Sequence, residues 1–174
     1  MKARTAHILC FLLGLAVAPA LVSLWLTFGT PPVAVGDSPV PFEANIVEIP
    51  LRARMHREMP ASVPIGPTDA NLNAGAGIYQ DKCAFCHGTS AEAAPYATSM
   101  FPRPPQLWRR HGHAVGVSDD PVGETFWKIK NGIRLSGMPA YGKALTETQI
   151  WQVSLLLSRA DKPLPAEAAE AVAQ

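Results

Sequence analysis

Residues 83–87 read Cys-Ala-Phe-Cys-His, and no other stretch limits the possible folds of this chain so tightly. A C-x-x-C pair acts as a redox dithiol beside a βαβ pattern, or as half of a structural zinc site when further ligands stand at comparable spacing. Neither context is present in the sequence. The remaining cysteine, Cys10, lies in an apolar leader, where it reads as a small apolar residue. The adjoining histidine favours a third reading, because C-x-x-C-H is the pattern of c-type haem attachment. Cys83 and Cys86, at i and i+3, can reach two vinyl groups along one porphyrin edge. His87 follows at once on the turn, where its Nε2 can bind iron. One covalently bound haem c is therefore expected.

A second axial ligand is sought among Met100, Met138, His111, His113, and the outlying His56, Met55 and Met59. Most methionines fill cores. Met138 stands apart because Gly137 precedes it and Pro139 follows it, which holds its thioether on a stiff loop between two helices. A thioether ligand raises the haem potential, as suits an electron carrier. With both axial positions filled, no small-molecule substrate is expected, and the chain is read as a carrier rather than an enzyme.

The N-terminal segment, residues 1–28, begins with Lys2 and Arg4 and continues as an uncharged run from Ile8 to Phe28. As a helix those 21 positions extend roughly 31 Å, enough to cross a hydrocarbon core. Ala18-Pro19-Ala20 resembles a signal-cleavage site, but cleavage there would leave Leu21 to Phe28 as an apolar stub. An uncleaved membrane anchor is the preferred reading. Lys2 and Arg4 then keep the N-terminus cytoplasmic and everything after Phe28 outside.

Residues 29–67 carry eight prolines, too closely spaced for a regular helix throughout, and are expected to form a semi-rigid tether. Within it, Val47, Ile49 and Leu51 alternate like an edge strand, while Leu51, Met55 and Met59 recur at helical spacing. This part is expected to lie against the folded domain. Residues 163–174, rich in Ala and Glu, are expected to be a disordered tail.

Residues 68–162 read as short helices joined by loops, so the fold class is all-α. The first helix is expected from about Asn71 to Lys82, capped by Thr68, Asp69 or Asn71. A second opens after Asp119 or Asp120 as cap, has Pro121 in its first turn, and stops at Asn131-Gly132. Its buried face is marked by Phe126 and Ile129, with Val122 or Ile133. The last starts at the capping box Thr146–Gln149 and runs to about Arg159, with Ile150, Val153, Leu156 and Leu157 as its apolar stripe. Such a small, loop-rich domain gains from a prosthetic group that its helices can surround.

These residues together resemble class I c-type cytochromes, especially small bacterial membrane-anchored monohaem forms with a Met-Pro-Ala loop. The resemblance covers residues 68–162 and implies a cytochrome c fold of three to four short helices around one covalent haem, here preceded by a transmembrane helix. It implies that Gly75 and Tyr79, spaced by four before Cys83, pack the first helix against the last. It also implies that the Pro105 carbonyl receives a hydrogen bond from His87 Nδ1–H and that Leu107 packs on the haem. The family often places an aromatic where Leu156 stands in this chain, and the nearest aromatic is Trp151.

The net charge of +1 gives no case for nucleic acid. Expected partners are redox proteins and, through the N-terminal helix, the membrane. Localisation at the bacterial cytoplasmic membrane, single-pass, with the haem domain in the periplasm, follows from the resemblance and the leader. Two functions fit: a carrier shuttling single electrons between respiratory partners, or a fixed haem subunit of an oxidase or dehydrogenase complex. Lys128, Lys130, Arg134, Lys143, Arg103, Arg109 and Arg110 either solvate the surface or form a basic rim that steers an acidic partner. His111, His113, Met55, His56 and Met59 are of copper-ligating types, although exposed loop residues are the simpler reading.

Overall fold

A computed structural model describes residues 2–174, and side chains from Thr5 onward. Met1 and the side chains of Lys2 and Arg4, on which the expected orientation rests, lie outside the described residues. The chain divides into two units, Met1–Pro41 and Phe42–Gln174.

In the first unit, helix α1 runs over Lys2–Phe28 with Pro19 inside it. Its stretch Thr5–Phe28 is long and apolar enough to cross a membrane, with mean hydropathy 2.4. After it, Val33 and Ala34 donate their amides to the Asp37 carboxylate, which folds residues 33–37 into a tight turn.

The second unit is helical apart from one minimal hairpin, so the all-α expectation holds. Helix α3 spans Asp69–Lys82, with Thr68 as the cap accepting from the Asn71 amide. Helix α4 is the single turn Ala84–His87. Helix α5 covers Val122–Asn131 and α6 covers Glu147–Leu157. The Thr146–Gln149 capping box forms at the start of α6 as expected. The start of α5 differs. Pro121 occupies its N-cap without a side-chain hydrogen bond, and Asp120 instead accepts from Lys128 at 3.2 Å. The hairpin, unforeseen from the sequence, pairs β1 (Arg110–His111) antiparallel with β2 (Ala114–Val115).

Helix α6 is the centre of the core. Ile150, Trp151, Val153, Leu155, Leu156 and Leu157 are all buried, and full burial of each such side chain contributes about 1.5–3 kcal/mol. Gly75 lets α3 approach α6 until main chain meets main chain: a Cβ there would press on the Gln152 carbonyl, with its carbon at 2.7 Å. Aromatic packing joins the remaining elements. Phe126 of α5 stacks on Trp151 of α6 with centroids 4.0 Å apart. Tyr79 finds its aromatic partner edge-on in Trp108, at 5.6 Å, rather than on the last helix. Its hydroxyl donates to the Gly88 carbonyl at 2.6 Å.

The middle of the proline-rich stretch lies against the folded domain as expected, as a helix rather than an edge strand, and the expected disordered tail is corrected. Within the proline-rich stretch, helix α2 spans Glu43–Glu58 with Pro50 inside it. Proline in a helix interior costs about 3 kcal/mol or more, so tertiary contacts must hold α2 together. They are present: Met55 is buried, Glu58 accepts from the Trp127 indole at 3.1 Å, and the Pro60 carbonyl lies against Gly123. The C-terminal residues form helix α7, Ala166–Ala171, in place of a disordered tail. Ala168 and Val172, at i and i+4, bury their side chains in the core. The Val172 carbonyl accepts from the Ser90 amide at 2.7 Å. An alanine-rich stretch resembles a solvated tail in composition, yet alanine is also the best helix former.

Candidate functional site

The attachment residues grow out of the end of α3. The Cys83 amide donates to the Tyr79 carbonyl at 2.8 Å, and the Cys83 carbonyl then accepts from Cys86 and His87 at 3.1 and 3.0 Å. This turn directs Cys83, Cys86 and His87 into one largely apolar cavity. The His87 Nδ1–H donates to the Pro105 carbonyl at 2.8 Å, since a carbonyl can only accept. That bond fixes the tautomer and leaves Nε2 with its lone pair. Burial lowers the His87 pKa against the opposing pull of Pro105, which favours the neutral, ligating imidazole. Burial, with Cys86 and Asp81 nearby, pushes the free Cys83 thiol up to about 12.

Residues 132–139, between α5 and α6, contribute Met138 to the same cavity. Gly132 begins this loop at φ 66°, and a Cβ there would meet the Ala140 amide nitrogen at 2.7 Å. Ser136 ties the loop internally, donating to the Ile133 carbonyl at 2.7 Å and accepting from the Met138 amide at 3.2 Å. Leu107, Ile129 and Leu157 complete the apolar lining. The cavity thus gathers Cys83, Cys86, His87, Met138, Pro105 and Leu107, all six singled out from the sequence.

The roles of Gln106 and Tyr141 were not foreseen. Gln106 clamps three segments: its amide donates to the Cys86 and Pro104 carbonyls at 3.2 and 3.3 Å, and its oxygen accepts from Ala94 at 2.6 Å. Tyr141 lines the cavity and donates its hydroxyl to the Lys82 carbonyl at 2.7 Å. Met100, weighed from the sequence as an axial ligand, also lines it, with its terminal methyl against Gly137. The only hint at the roles of Gln106 and Tyr141 was proximity to the Pro105 and Met138 loops.

The zinc alternative finds no ligand set among the described residues. Among the described residues, no three or more His, Cys, Asp or Glu side chains gather where they could hold a metal ion. Cys83, Cys86 and His87 therefore do not converge as zinc ligands do. Of the copper-type residues, Met55 is buried while His56, His111 and His113 are exposed. The donor set suits a flat apolar macrocycle: two thiols for its edge, an imidazole and a thioether for its metal, and hydrocarbon for its faces.

The basic rim is thinner than its sequence suggests. Lys128 is held by Asp120 at 3.2 Å and Glu124 at 2.6 Å. Lys130 pairs with Glu147 at 2.5 Å and lies over the Phe126 ring. Arg109 spends its guanidinium on the Ser90 and Ala91 carbonyls. Arg103, Arg110, Arg134 and Lys143 remain as exposed cations.

Residues 70–155 match the family described as "Cytochrome C oxidase, cbb3-type, subunit III". No curated protein and no solved structure matched the chain. Fold, cavity and family match define a c-type cytochrome domain, all-α and consistent with the class I monohaem type. Its cofactor is covalently bound haem c, and its role is haem-based electron transfer.

Proposed function

We propose that Cys83 and Cys86 form the two thioether bonds to the haem, and that His87 Nε2 and Met138 Sδ are its axial ligands. Pro105 orients the imidazole, and Leu107 packs on the ring. The observation that carries this reading is one apolar cavity receiving a tautomer-fixed histidine from α4 and a methionine from the 132–139 loop. When bound, haem supplies a one-electron ferric/ferrous couple whose potential a thioether raises. The chain's own residues hold the ligands in place and keep water from the cavity. The domain then passes single electrons between protein partners, anchored by α1 to the bacterial cytoplasmic membrane with its haem on the periplasmic side.

The test is a redox titration of the purified holoprotein followed by exposure of its ferrous form to carbon monoxide. The expected result is a single n = 1 transition and a spectrum that carbon monoxide leaves unchanged. Rapid carbon monoxide binding would mean an open iron position, and would favour a haem enzyme over a carrier.

The family match favours a second reading, in which the chain is a fixed haem subunit of an oxidase complex. Mild detergent extraction separates the two readings. A carrier migrates alone, whereas a subunit brings its oxidase with it.

A further inference from the structure

Helix α2 buries one side and leaves another bare. Met55 is buried and Val47 and Leu51 are partly so, which turns that side toward the domain. Phe42, Ile46 and Ile49, at i, i+4 and i+7, form a separate stripe that is 76%, 68% and 66% exposed. Leu135 lines the same groove as Ile46 from across the domain surface and is 76% exposed. Phe42 and Leu135 are also the two non-glycine residues with left-handed backbone among those described, at φ 65° and 62°. For bulky side chains that conformation costs of order 1–3 kcal/mol, and both side chains are mostly exposed.

The stripe follows a short leash. Only residues 29–41 separate the end of α1 from Phe42. Fully extended, those thirteen residues reach at most about 45 Å, and the turn at 33–37 shortens them further. Toward the C-terminal end of α2, Arg57 continues the line of Ile46, and Arg134 adjoins Leu135 on the groove. Neither arginine forms an ion pair among the described residues. Apolar residues flanked by free cations suit the acyl–headgroup boundary of an anionic bilayer.

We propose that this face of α2, with Leu135, docks into the interfacial zone of the membrane as a second attachment beside α1. The loop bearing Leu135 also bears Met138, so docking would turn the methionine side of the haem cavity toward the bilayer and toward membrane-embedded redox partners. The proposal rests on the reading of α1 as an anchor.

The experiment uses the full haem-loaded chain with Cys10→Ser, reconstituted in phosphatidylglycerol/phosphatidylcholine vesicles and isolated by flotation. A nitroxide is attached in separate variants at Ile46→Cys, Ile49→Cys or, as an aqueous control, Asp161→Cys. Haem absorbance verifies folding of each. Power saturation is expected to show labels at 46 and 49 relaxed more by oxygen than by a water-soluble nickel chelate, with the reverse at 161. Nickel-dominated relaxation at 46 and 49 in floated protein overturns the proposal and leaves the anchor standing. Dipolar broadening between labels would assign the face to a second copy, and shielding from both reagents would assign it to a partner protein. Either of those results also overturns it. Protein that fails to float overturns the anchor reading and the proposal with it.

Discussion

Replacing Cys83 and Cys86 together by serine is expected to abolish covalent haem and, with it, the folded state of the domain around the cavity. Serine hydroxyls cannot form thioethers, so a denaturing gel stained for haem should show a complete loss of signal. The structural loss follows from the lining. Leu107, Ile129, Leu157 and Met138 face one cavity and would lose the surface they cover. Binding to the folded state alone stabilises it, and for a domain with so limited a core the haem contribution is a large share of the total. Far-ultraviolet dichroism should show reduced helix content and a broadened or absent thermal transition. A double variant that retains covalent haem would place the attachment elsewhere.

The second large effect concerns two glycines in one helix. Gly75→Ala and Gly77→Ala both add a methyl group to α3, and each gains about 0.5–1 kcal/mol of helix propensity. At Gly77 nothing lies within 4 Å, so the gain should appear undiminished. At Gly75 the methyl meets the Gln152 carbonyl carbon at 2.7 Å, and main chain cannot rotate aside as a side chain would. Overpacking of this kind costs typically 1–3 kcal/mol, and its upper range outweighs the propensity gain. Gly75→Ala should therefore lower the Tm, by up to roughly 10 °C. Gly77→Ala should raise it by a few degrees. Equal shifts in the same direction would contradict the close crossing of α3 and α6.

Much of this was legible in the sequence because it depends on local rules. The attachment turn, the Thr68 and Thr146 caps and the glycine stop at Gly132 are written within a few residues of where they act. The misses have a common physical origin. Asp120 was a good cap by composition, but Lys128, one side of a salt-bridge pair with Glu124, claims it. Pro50 signals a broken helix, yet α2 survives because Glu58 and Pro60 are held by Trp127 and Gly123, more than sixty residues distant in sequence. Tyr79 needed an aromatic neighbour, and Trp108 provides it from a loop rather than from α6. Helix α7 likewise depends on a surface of α3 and the Ser90 loop that no local pattern announces. Long-range partners override local propensity where both are weak, and these segments are such places.

The central claim is the pairing of His87 with Met138 across one haem. The most direct measurement is the near-infrared edge of the oxidised spectrum, where thioether sulfur bound to ferric haem iron gives a charge-transfer band, in the parent chain and in Met138→Ala. The parent should show the band. Met138→Ala should lose it, fall in reduction potential and bind carbon monoxide when reduced, while keeping its covalent haem. A band that survives the substitution unchanged would contradict the assignment and move the sulfur ligand to another methionine.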